Sequence, residues 1–401
     1  MRTITTILFV VCMTTALCHA APQGADWPHW RGLKGDGIST ESGWRAEALS
    51  GGPKILWQAE VGKGYSAVSI QGGRAFTMGN IDDRDIVTCL DTATGKEVWR
   101  HSYACKAASY PGPRATPAVD GNNVYTFSRA GDVFCLDAMS GKVTWTRNIA
   151  AELKAEAPRW GFAGSPVISG EQLLLNAGPR GMALDKTTGR TIWHSGPGIG
   201  GYSVLVPCRL AGRPTLLMFG EKALLALNPA TGKARWSHEW VTSYNINAAD
   251  PMPVGDQVWI SSGYGTGCAL LDCAGARPRQ VWKNKAVSAH FSSAVLHKGY
   301  IYAIDGNTKR KGKLVCLKPE DGTVAWSREL GFGSLILAGD RLIVLNEKGA
   351  LTIVAASPGG YRELASADSL LPGICWTAPT LSRGKLYLRD DKGRVLCLNL
   401  N

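Results

Sequence analysis

The stretch "CLDTATGKEVW", Cys89–Trp99, decides the fold because the chain repeats it. Close copies and one looser copy, "LLDCAGARPRQVW", follow, and their final tryptophans are spaced 43 to 48 residues apart. Internal similarity at this period is typical of solenoids, propellers and other repeat arrays. The tryptophans that end the later copies are Trp145, Trp193, Trp236, Trp282 and Trp326.

Each repeat contains four short strand-like segments separated by turns. In the unit that ends at Trp145 the segments are "TPAV", "VYTFS", "VFCLD" and "KVTW", and the turns are "DGNN", "RAGD" and "AMSG". Turns of the Asp-Gly and Ser-Gly kind supply the positive φ that tight hairpins need. Four antiparallel strands per unit form one blade of a β-propeller. In the opening phrase, we expect Asp91 and Gly95 to shape a turn and Trp99 to pack on the next blade from the outermost strand.

The number of blades follows from counting the units. Six units end at a tryptophan, and a degenerate seventh runs from "GSLILAGDRLIVLN" through "ALTIVAASPGGYREL". The eighth ends at "RVLCLNL" and lacks a fourth strand, which "KILW", with Trp57, can supply from before the first blade. Closing the ring in this way removes exposed sheet edges. We predict an all-β, eight-bladed β-propeller of four-stranded antiparallel blades over residues 53–401, with seven blades as the alternative.

The N-terminal segment has the features of an export signal. Arg2 is followed by an apolar run, Ile7–Leu17, and by small residues at Cys18 and Ala20. This pattern predicts a signal peptide over residues 1–20 with cleavage after Ala20. A lipoprotein signal, with Cys18 as the lipidated residue, is the alternative. Residues 21–52 would then form an extended leader on a soluble, monomeric protein of the periplasm or the extracellular medium.

The formal charge of +12 indicates which partners the surface could attract. A basic surface favours anionic partners, such as a glycan or lipid head groups. An exported protein seldom meets nucleic acid, so we exclude nucleic acid as a partner. The segment "KRKGK", Lys309–Lys313, falls at a hairpin tip, where it is expected to be a solvated basic loop.

Nine of the eleven cysteines follow the predicted signal peptide and would meet an oxidising compartment. Cys268 and Cys273 flank a possible hairpin and could form a disulfide. Four others share one position of the repeat, where they would be buried and too far apart to pair. These four are Cys89, Cys135, Cys316 and Cys397.

Small polar residues recur where the first strand of each blade should line the central channel. We expect the hydroxyls among them to bind backbone groups. Asp250 is the single carboxylate of the set, and with Asn245 and Asn247 it could supply oxygen ligands to a metal. The set is Ser66, Thr116, Ser165, Ser203, Asp250, Ser293 and Ser334, with Ala378 in the eighth blade.

Larger residues lie just before these positions and should border one mouth of the channel. They could bind a sugar, a quinone or a peptide, or they could plug the channel as core. Both interpretations stay open, because Arg114 and Arg159 would be costly to bury unpaired. The residues are Tyr65, Arg114, Arg159, Trp160, Phe162, Tyr202, His290, Phe291, Phe332 and Trp376.

The pattern Cys/Ala-Leu-Asp-x-x-x-Gly-x-x-x-Trp resembles the tryptophan-docking motif of the pyrroloquinoline-quinone (PQQ)-like repeat family. The resemblance extends from about residue 50 to the end of the chain. This family includes eight-bladed quinoprotein alcohol dehydrogenases, the non-enzymatic outer-membrane assembly factor BamB and other exported propellers. The segment "DWPHWRGLKGDGIS", Asp26–Ser39, is similar to the leader of those other propellers. We expect Trp27 and Trp30 to pack on the propeller rather than to bind a ligand.

The resemblance implies three alternative functions. Quinoprotein enzymes hold PQQ between a tryptophan and, in many members, a disulfide of adjacent cysteines, with Ca²⁺ and a catalytic Asp nearby. This chain has no adjacent cysteine pair, so we expect neither PQQ nor Ca²⁺. If it were an enzyme, Asp250 would be the base or calcium ligand, and Arg114 or Arg159 would bind the anionic quinone. A carbohydrate-binding propeller is the third possibility. The sequence favours an exported, non-catalytic scaffold that resembles BamB and binds a protein or an anionic polymer.

Overall fold

Each repeat forms one antiparallel sheet in the computed structural model, which describes residues 26–308 and 312–401. Blade 1 comprises Ser69–Gln71, Arg74–Ile81, Arg84–Asp91 and Glu97–Ala104. Blade 2 comprises Ala118–Asp120, Asn123–Phe127, Asp132–Asp137 and Val143–Asn148. Blade 3 comprises Val167–Ser169, Gln172–Leu175, Met182–Asp185 and Thr191–His194. Blade 4 comprises Leu205–Leu210, Arg213–Phe219, Ala223–Leu227 and Ala234–Glu239.

The second half of the ring repeats this arrangement. Blade 5 comprises Met252–Val254, Gln257–Ser262, Gly267–Asp272 and Arg279–Asn284. Blade 6 comprises Val295–His297, Tyr300–Asp305, Lys313–Leu317 and Val324–Glu329. Blade 7 comprises Gly333–Ala338, Arg341–Asn346, Leu351–Ala355 and Glu363–Ala367. Blade 8 comprises Thr380–Ser382, Lys385–Arg389, Arg394–Asn399 and, from the N-terminal side, Ile55–Glu60. The prediction of eight four-stranded blades is confirmed.

Few elements stand outside the blades. An α-helix spans Ile149–Leu153, and 3₁₀ turns span Ala46–Leu49 and Ser243–Asn245. Ala155–Glu156 pairs in parallel with Gly198–Ile199. Within the described ranges, no helix is both long enough and apolar enough to cross a bilayer.

The repeated phrase forms the hairpin before the outermost strand. The Asp91 carboxylate accepts hydrogen bonds from the backbone N–H groups of Ala93 and Thr94 at 3.1 and 2.8 Å. The hydrogen bonds from Thr94 and Ala93 hold the pKa of Asp91 below its usual value. Gly95 takes a φ of 71°, which is easily adopted only by glycine. The phrase therefore sets a tight turn with a fixed shape.

Outer-strand tryptophans reach the turn of the following blade at six of the seven blade junctions that carry one, the exception being Trp236. The Trp99 indole N–H donates to the carbonyl oxygen of Ala138 at 3.0 Å. Its ring lies so close to Gly141 that a Cβ at that glycine would be 2.6 Å from the indole. The same indole-to-carbonyl bond joins Trp57 to Thr92, Trp145 to Lys186, Trp193 to Pro229, Trp282 to Pro319 and Trp326 to Ser357.

The ring is closed between blades 8 and 1. Ile55–Glu60 pairs antiparallel with Arg394–Asn399, as the sequence predicts. The fully buried Arg389 of blade 8 also donates to the carbonyl oxygens of Ser66 and Gly62, both at 2.9 Å. Burial lowers the pKa of Arg389 to about 10, so the guanidinium stays charged at neutral pH.

The leader runs across the channel and contacts several blades. Trp27 exchanges backbone hydrogen bonds with Ile70 of blade 1, and Arg31 donates to the Ala294 carbonyl beside blade 6. Further along, Ile38–Ser39 adds a parallel fifth strand to blade 7 beside Gly333–Ala338. The leader thus contacts blades on opposite sides of the ring before it enters blade 8.

The cysteines are free thiols in the part of the chain described. The suggested Cys268–Cys273 disulfide is wrong, because the two residues stand at opposite ends of the strand Gly267–Asp272. Five residues of extended chain separate them by roughly 17 Å, and a disulfide needs Cα atoms about 4.4–6.8 Å apart. The four cysteines that share one repeat position are buried, as expected. The predicted signal peptide, with Cys18, and residues 309–311 of the basic hairpin lie outside the described residues.

Two glycine substitutions in blade 2 should separate backbone strain from tryptophan contact. Gly141 and Gly121 both have positive φ, of 70° and 56°, but a Cβ at Gly121 meets nothing within 4 Å. We expect Gly121→Ala to lower the free energy of unfolding by about 1–2 kcal/mol. Gly141→Ala should lower it by about 2–4 kcal/mol, because the methyl group also strikes Trp99. Urea titration measures both, and equal losses would contradict the tryptophan contact.

Candidate functional site

Small polar side chains around the channel join neighbouring blades. In four places a side-chain oxygen of one blade accepts a hydrogen bond from a backbone N–H of the blade before it. This confirms the expectation that the hydroxyls bind backbone groups. The bonds are Ala67 to Thr116 at 3.1 Å, Thr116 to Ser165 at 2.9 Å, Val204 to Asp250 at 3.1 Å and Asp250 to Ser293 at 3.0 Å.

Asp250 takes the place of a hydroxyl in this set and binds the leader as well. Its Oδ1 accepts from the Val204 N–H, and its Oδ2 accepts from the Trp30 indole at 2.8 Å and from the Ser293 hydroxyl at 3.0 Å. The carboxylate therefore links blades 4, 5 and 6 to the leader. Three donors satisfy a buried charge that would otherwise be costly.

The two asparagines predicted as partners of Asp250 are engaged elsewhere. The buried Asn247 donates to the Gly220 and Glu221 carbonyls and accepts from Ser262 at 2.6 Å. Asn245 donates to the Glu221 carboxylate at 3.3 Å. No group of three or more His, Cys, Asp or Glu suited to a metal occurs among the described residues. Metal ligation by Asp250, Asn245 and Asn247 remains a prediction of the enzyme alternative, and it would require these bonds to be rearranged.

A cavity of about 220 Å³ opens at the channel mouth, between the loops that precede the inner strands. Every blade except the seventh contributes to its lining. Of the eight residues predicted to bind a ligand, the seven that line it are Tyr65, Arg114, Trp160, Tyr202, Asp250, His290 and Trp376. Arg159 is exposed and does not line the cavity, although its guanidinium lies 5.3 Å from the centre of the Trp160 ring.

Five rings form a continuous wall, which we call the aromatic cup: Tyr65, Tyr110, Trp160, Phe291 and Trp376. Trp376 stacks on Tyr65 with ring centres 5.3 Å apart and contacts Phe291 at 5.3 Å. Tyr110 contacts Trp376 at 5.7 Å and Trp160 at 5.6 Å. These separations are typical of favourable aromatic pairs. Two further predicted rings, Phe162 and Phe332, are fully buried and do not line the cavity, as the core interpretation expects.

Three aromatic residues of the lining were missed by sequence reasoning, together with several small or aliphatic ones. Trp30 comes from the leader, and its bond to Asp250 spans 220 residues of sequence. Tyr110 and Tyr264 lie in loops outside the repeated phrase, so no periodicity marks them. The one available signal was local: Tyr110 precedes Arg114 by one short loop, and its carbonyl accepts from that guanidinium at 3.0 Å.

Arg114 carries the positive charge of the lining. Its guanidinium donates to the carbonyl oxygens of Gly112 and Tyr110, both at 3.0 Å, and lies 5.7 Å from the centre of the Tyr65 ring. No carboxylate of the described residues forms an ion pair with it. Burial, and then repulsion from Arg129, lower the pKa of Arg114. The cup therefore has an unneutralised cation at its side.

His290 is neutral over the physiological range. Burial lowers its pKa to about 4. Its Nδ1 is buried and has no hydrogen-bond partner in the described ranges. The histidine packs edge-on against Tyr264 with ring centres 4.8 Å apart, and against Phe291 at 4.7 Å. It therefore belongs to the apolar wall of the cavity at neutral pH.

These residues do not fit PQQ with calcium. The lining contains no cysteine, and the described cysteines are unpaired thiols. Asp250 is the only carboxylate among the described residues of the lining, and it already accepts three hydrogen bonds. Among the same residues, one guanidinium faces the place of an anionic quinone, and the oxygen of Asn247 is engaged by Ser262. The absence of cofactor chemistry nevertheless stays a prediction.

Comparison with known proteins decides the family. The family model of the outer membrane protein assembly factor BamB matches residues 82–328, which is more than half of the chain. The chain belongs to the BamB family. This confirms the resemblance to PQQ-like repeat propellers that the repeated phrase indicates.

Members of the BamB family match over most of their length. BamB of Yersinia pestis is 23% identical over 378 residues, which cover 86% of this chain and 88% of that protein. BamB of Moranella endobia is 22% identical over 371 residues, which cover 87% of this chain and 80% of that protein.

Solved structures share the fold at lower identity. The crystal structure of BamB from Moraxella catarrhalis has a TM-score of 0.64 and 17% identity, and the match covers 86% of this chain and 99% of that one. Quinohemoprotein alcohol dehydrogenase from Comamonas testosteroni has a TM-score of 0.71 and 13% identity, and the match covers 93% of this chain and 80% of that one. These likenesses show the propeller fold and leave activity open.

Replacing the leader tryptophan should test its bond to the channel carboxylate. Trp30→Phe keeps a ring but removes the N–H that binds Asp250, so it should lower the free energy of unfolding by about 1–3 kcal/mol. Asp250→Ser supplies the matched background, because most other blades carry a hydroxyl at this position. In that background Trp30→Phe should cost much less, as a double-mutant cycle by urea titration would show. Equal costs in both backgrounds would contradict the bond.

Proposed function

We propose that this protein is a non-catalytic scaffold in the assembly of outer membrane proteins and acts by binding a protein partner. The observation that carries the proposal is the match to the BamB family model, together with two assembly factors that align over most of their length and most of this chain. The relatives are named as assembly factors, and transfer of that role to this chain is part of the proposal.

The chemistry of the cavity supports a binding role over catalysis. A general base must be free to accept a proton from a bound substrate. The Asp250 oxygens are occupied by Val204, Trp30 and Ser293, and His290 lies in an apolar wall. The lining is rich in aromatic rings, which suits recognition of a group with an apolar face.

The proposed role also requires the protein to reach the cell envelope. The predicted signal peptide, residues 1–20, would export it to the periplasm. The lipoprotein alternative at Cys18 would in addition tether it to a membrane. The formal charge of +12 would favour a partner with acidic groups. We expect the propeller itself to be a monomer.

Deleting the gene in the source bacterium tests the proposal. We expect less folded β-barrel protein in the outer membrane, measured from the heat-dependent mobility of the barrels on gels. A plasmid copy of the full chain should restore the amount. A copy without residues 2–20 should not, because the protein would stay in the cytoplasm.

The control is the level of soluble periplasmic proteins, which should not change on deletion. Unchanged amounts of every folded outer-membrane barrel in the deletion strain would contradict the assembly role. Restoration by the copy that lacks residues 2–20 would contradict the envelope location.

A further inference from the structure

The aromatic cup has room for an aromatic ring. Its cavity measures about 220 Å³ and opens to solvent. The walls present ring faces and edges from Tyr65, Trp160 and Trp376, against which another aromatic ring can pack edge-on or offset. An inserted aromatic group would therefore gain contacts on several sides.

The positive charge of Arg114 beside the cup favours an anionic group next to the inserted ring. Arg114 has five N–H donors, and the described structure uses one on Gly112 and one on Tyr110, both carbonyl oxygens. A carboxylate can accept two parallel bonds from a guanidinium, and such charge-assisted bonds are about twice as strong as neutral ones. The Asp250 oxygens are engaged by Val204, Trp30 and Ser293, whereas Arg114 keeps unengaged N–H groups, so the described lining offers donors to an anion.

Three exposed tyrosines around the cavity mouth indicate that a bound ligand would extend beyond the cavity. Tyr110 is 48% exposed, Tyr264 is 37% exposed and Tyr244 is 65% exposed. Tyr264 lines the cavity and meets Tyr244 edge-on at 5.5 Å, so the aromatic surface continues outward from the cup. Exposed tyrosines are enriched at protein interfaces, where they bury much area at low entropic cost. A small molecule held inside the cup would leave this outer surface bare, whereas a polypeptide segment would cover it.

We propose that the aromatic cup binds an aromatic side chain of a protein partner, with an adjacent acidic residue of that partner bound by Arg114. The inference rests on the proposed function, because it takes a protein as the ligand. It adds the chemical class of the segment that the partner inserts.

Several acceptor groups of the lining are engaged within the protein. The Ser165 hydroxyl accepts from Thr116, and the Tyr202 hydroxyl accepts from the Trp160 backbone at 3.3 Å. Asp250 accepts from three donors. The Arg114 N–H groups that stay unengaged are donors that favour an anion, and a sugar is therefore the competing ligand in the test below.

Calorimetry with a short peptide tests the inference. The probe is the blocked hexapeptide acetyl-Gly-Ser-Phe-Asp-Ser-Gly-amide, titrated into the mature full-length protein. We expect measurable binding that weakens at least about tenfold when the peptide Phe becomes Leu, and about tenfold when its Asp becomes Asn. Changing the peptide leaves the propeller intact, so these comparisons do not depend on the folding of a variant.

Protein variants then locate the two contacts. Trp376→Leu should weaken binding of the Phe-Asp peptide at least about tenfold. Arg114→Gln should weaken the Phe-Asp peptide about tenfold but leave the Phe-Asn peptide unchanged, because the two changes remove the same ion pair. Arg190→Gln is the matched control, since Arg190 is exposed, precedes the outer strand of blade 3 and lies outside the lining, and it should change the binding of neither peptide.

Three results would overturn the inference: no heat with the Phe-Asp peptide at millimolar concentration, equal binding of the Phe and Leu peptides, or tighter binding of glucose oligomers. Complementation separates this outcome from failure of the proposed function. If deletion lowers outer-membrane barrels and Trp376→Leu restores them fully, the scaffold role stands and the cup inference fails. If deletion of the gene leaves the amount of folded outer-membrane barrels unchanged, the proposed function is wrong, and the peptide titrations alone test the cup inference.

Discussion

The hydrogen bond from an outer-strand indole to a carbonyl of the next blade is the constraint on which the ring depends. A single four-stranded sheet cannot cover its own apolar faces, and the buried clusters lie between blades, as between Phe76 and Trp99 of blade 1 and Val119 and Phe134 of blade 2. The indole fixes how far one blade turns from the next, because it rests on a glycine that has no room for a Cβ. The Asp, Gly and Trp of the repeated phrase therefore act together. In each such hairpin the carboxylate shapes the turn, and the glycine leaves room on the turn for the tryptophan of the preceding blade.

The closed ring leaves the inner strands to define a channel, and the leader then turns the channel mouth into a site. Asp250 shows how this happens. It occupies the position of a hydroxyl that joins two blades, and its second oxygen binds Trp30 and Ser293. From the sequence alone, this carboxylate suggests a metal ligand or a general base. In the structure it holds the leader in place by accepting a hydrogen bond from Trp30. Among the described residues of the lining, Arg114 is the charged group that keeps unengaged hydrogen-bonding atoms, and these are donors that suit an anion.

The features that could be predicted from the sequence were those that recur in every repeat. Period, turn residues and the missing fourth strand of the last unit predicted eight blades and closure by the segment that contains Trp57, and aligned positions predicted seven residues of the cavity lining. What does not repeat was not predictable. The path of the leader depends on contacts with Ile70, Ala294 and Leu337, which are distant in sequence. Cys268 and Cys273 were placed across a hairpin because the local pattern does not show that one strand runs from Gly267 to Asp272.

We propose that the channel mouth binds a partner protein and does not use a quinone cofactor. Titration of the purified mature protein with PQQ and Ca²⁺, followed by calorimetry and by the absorbance of the quinone, tests this claim most directly. We expect no heat of binding and an unchanged quinone spectrum. The Asp250 carboxylate already accepts three hydrogen bonds, and no cysteine occurs among the described residues of the lining. Tight, stoichiometric binding that depends on Ca²⁺ would contradict it and would make oxidation of an alcohol or a sugar the leading function.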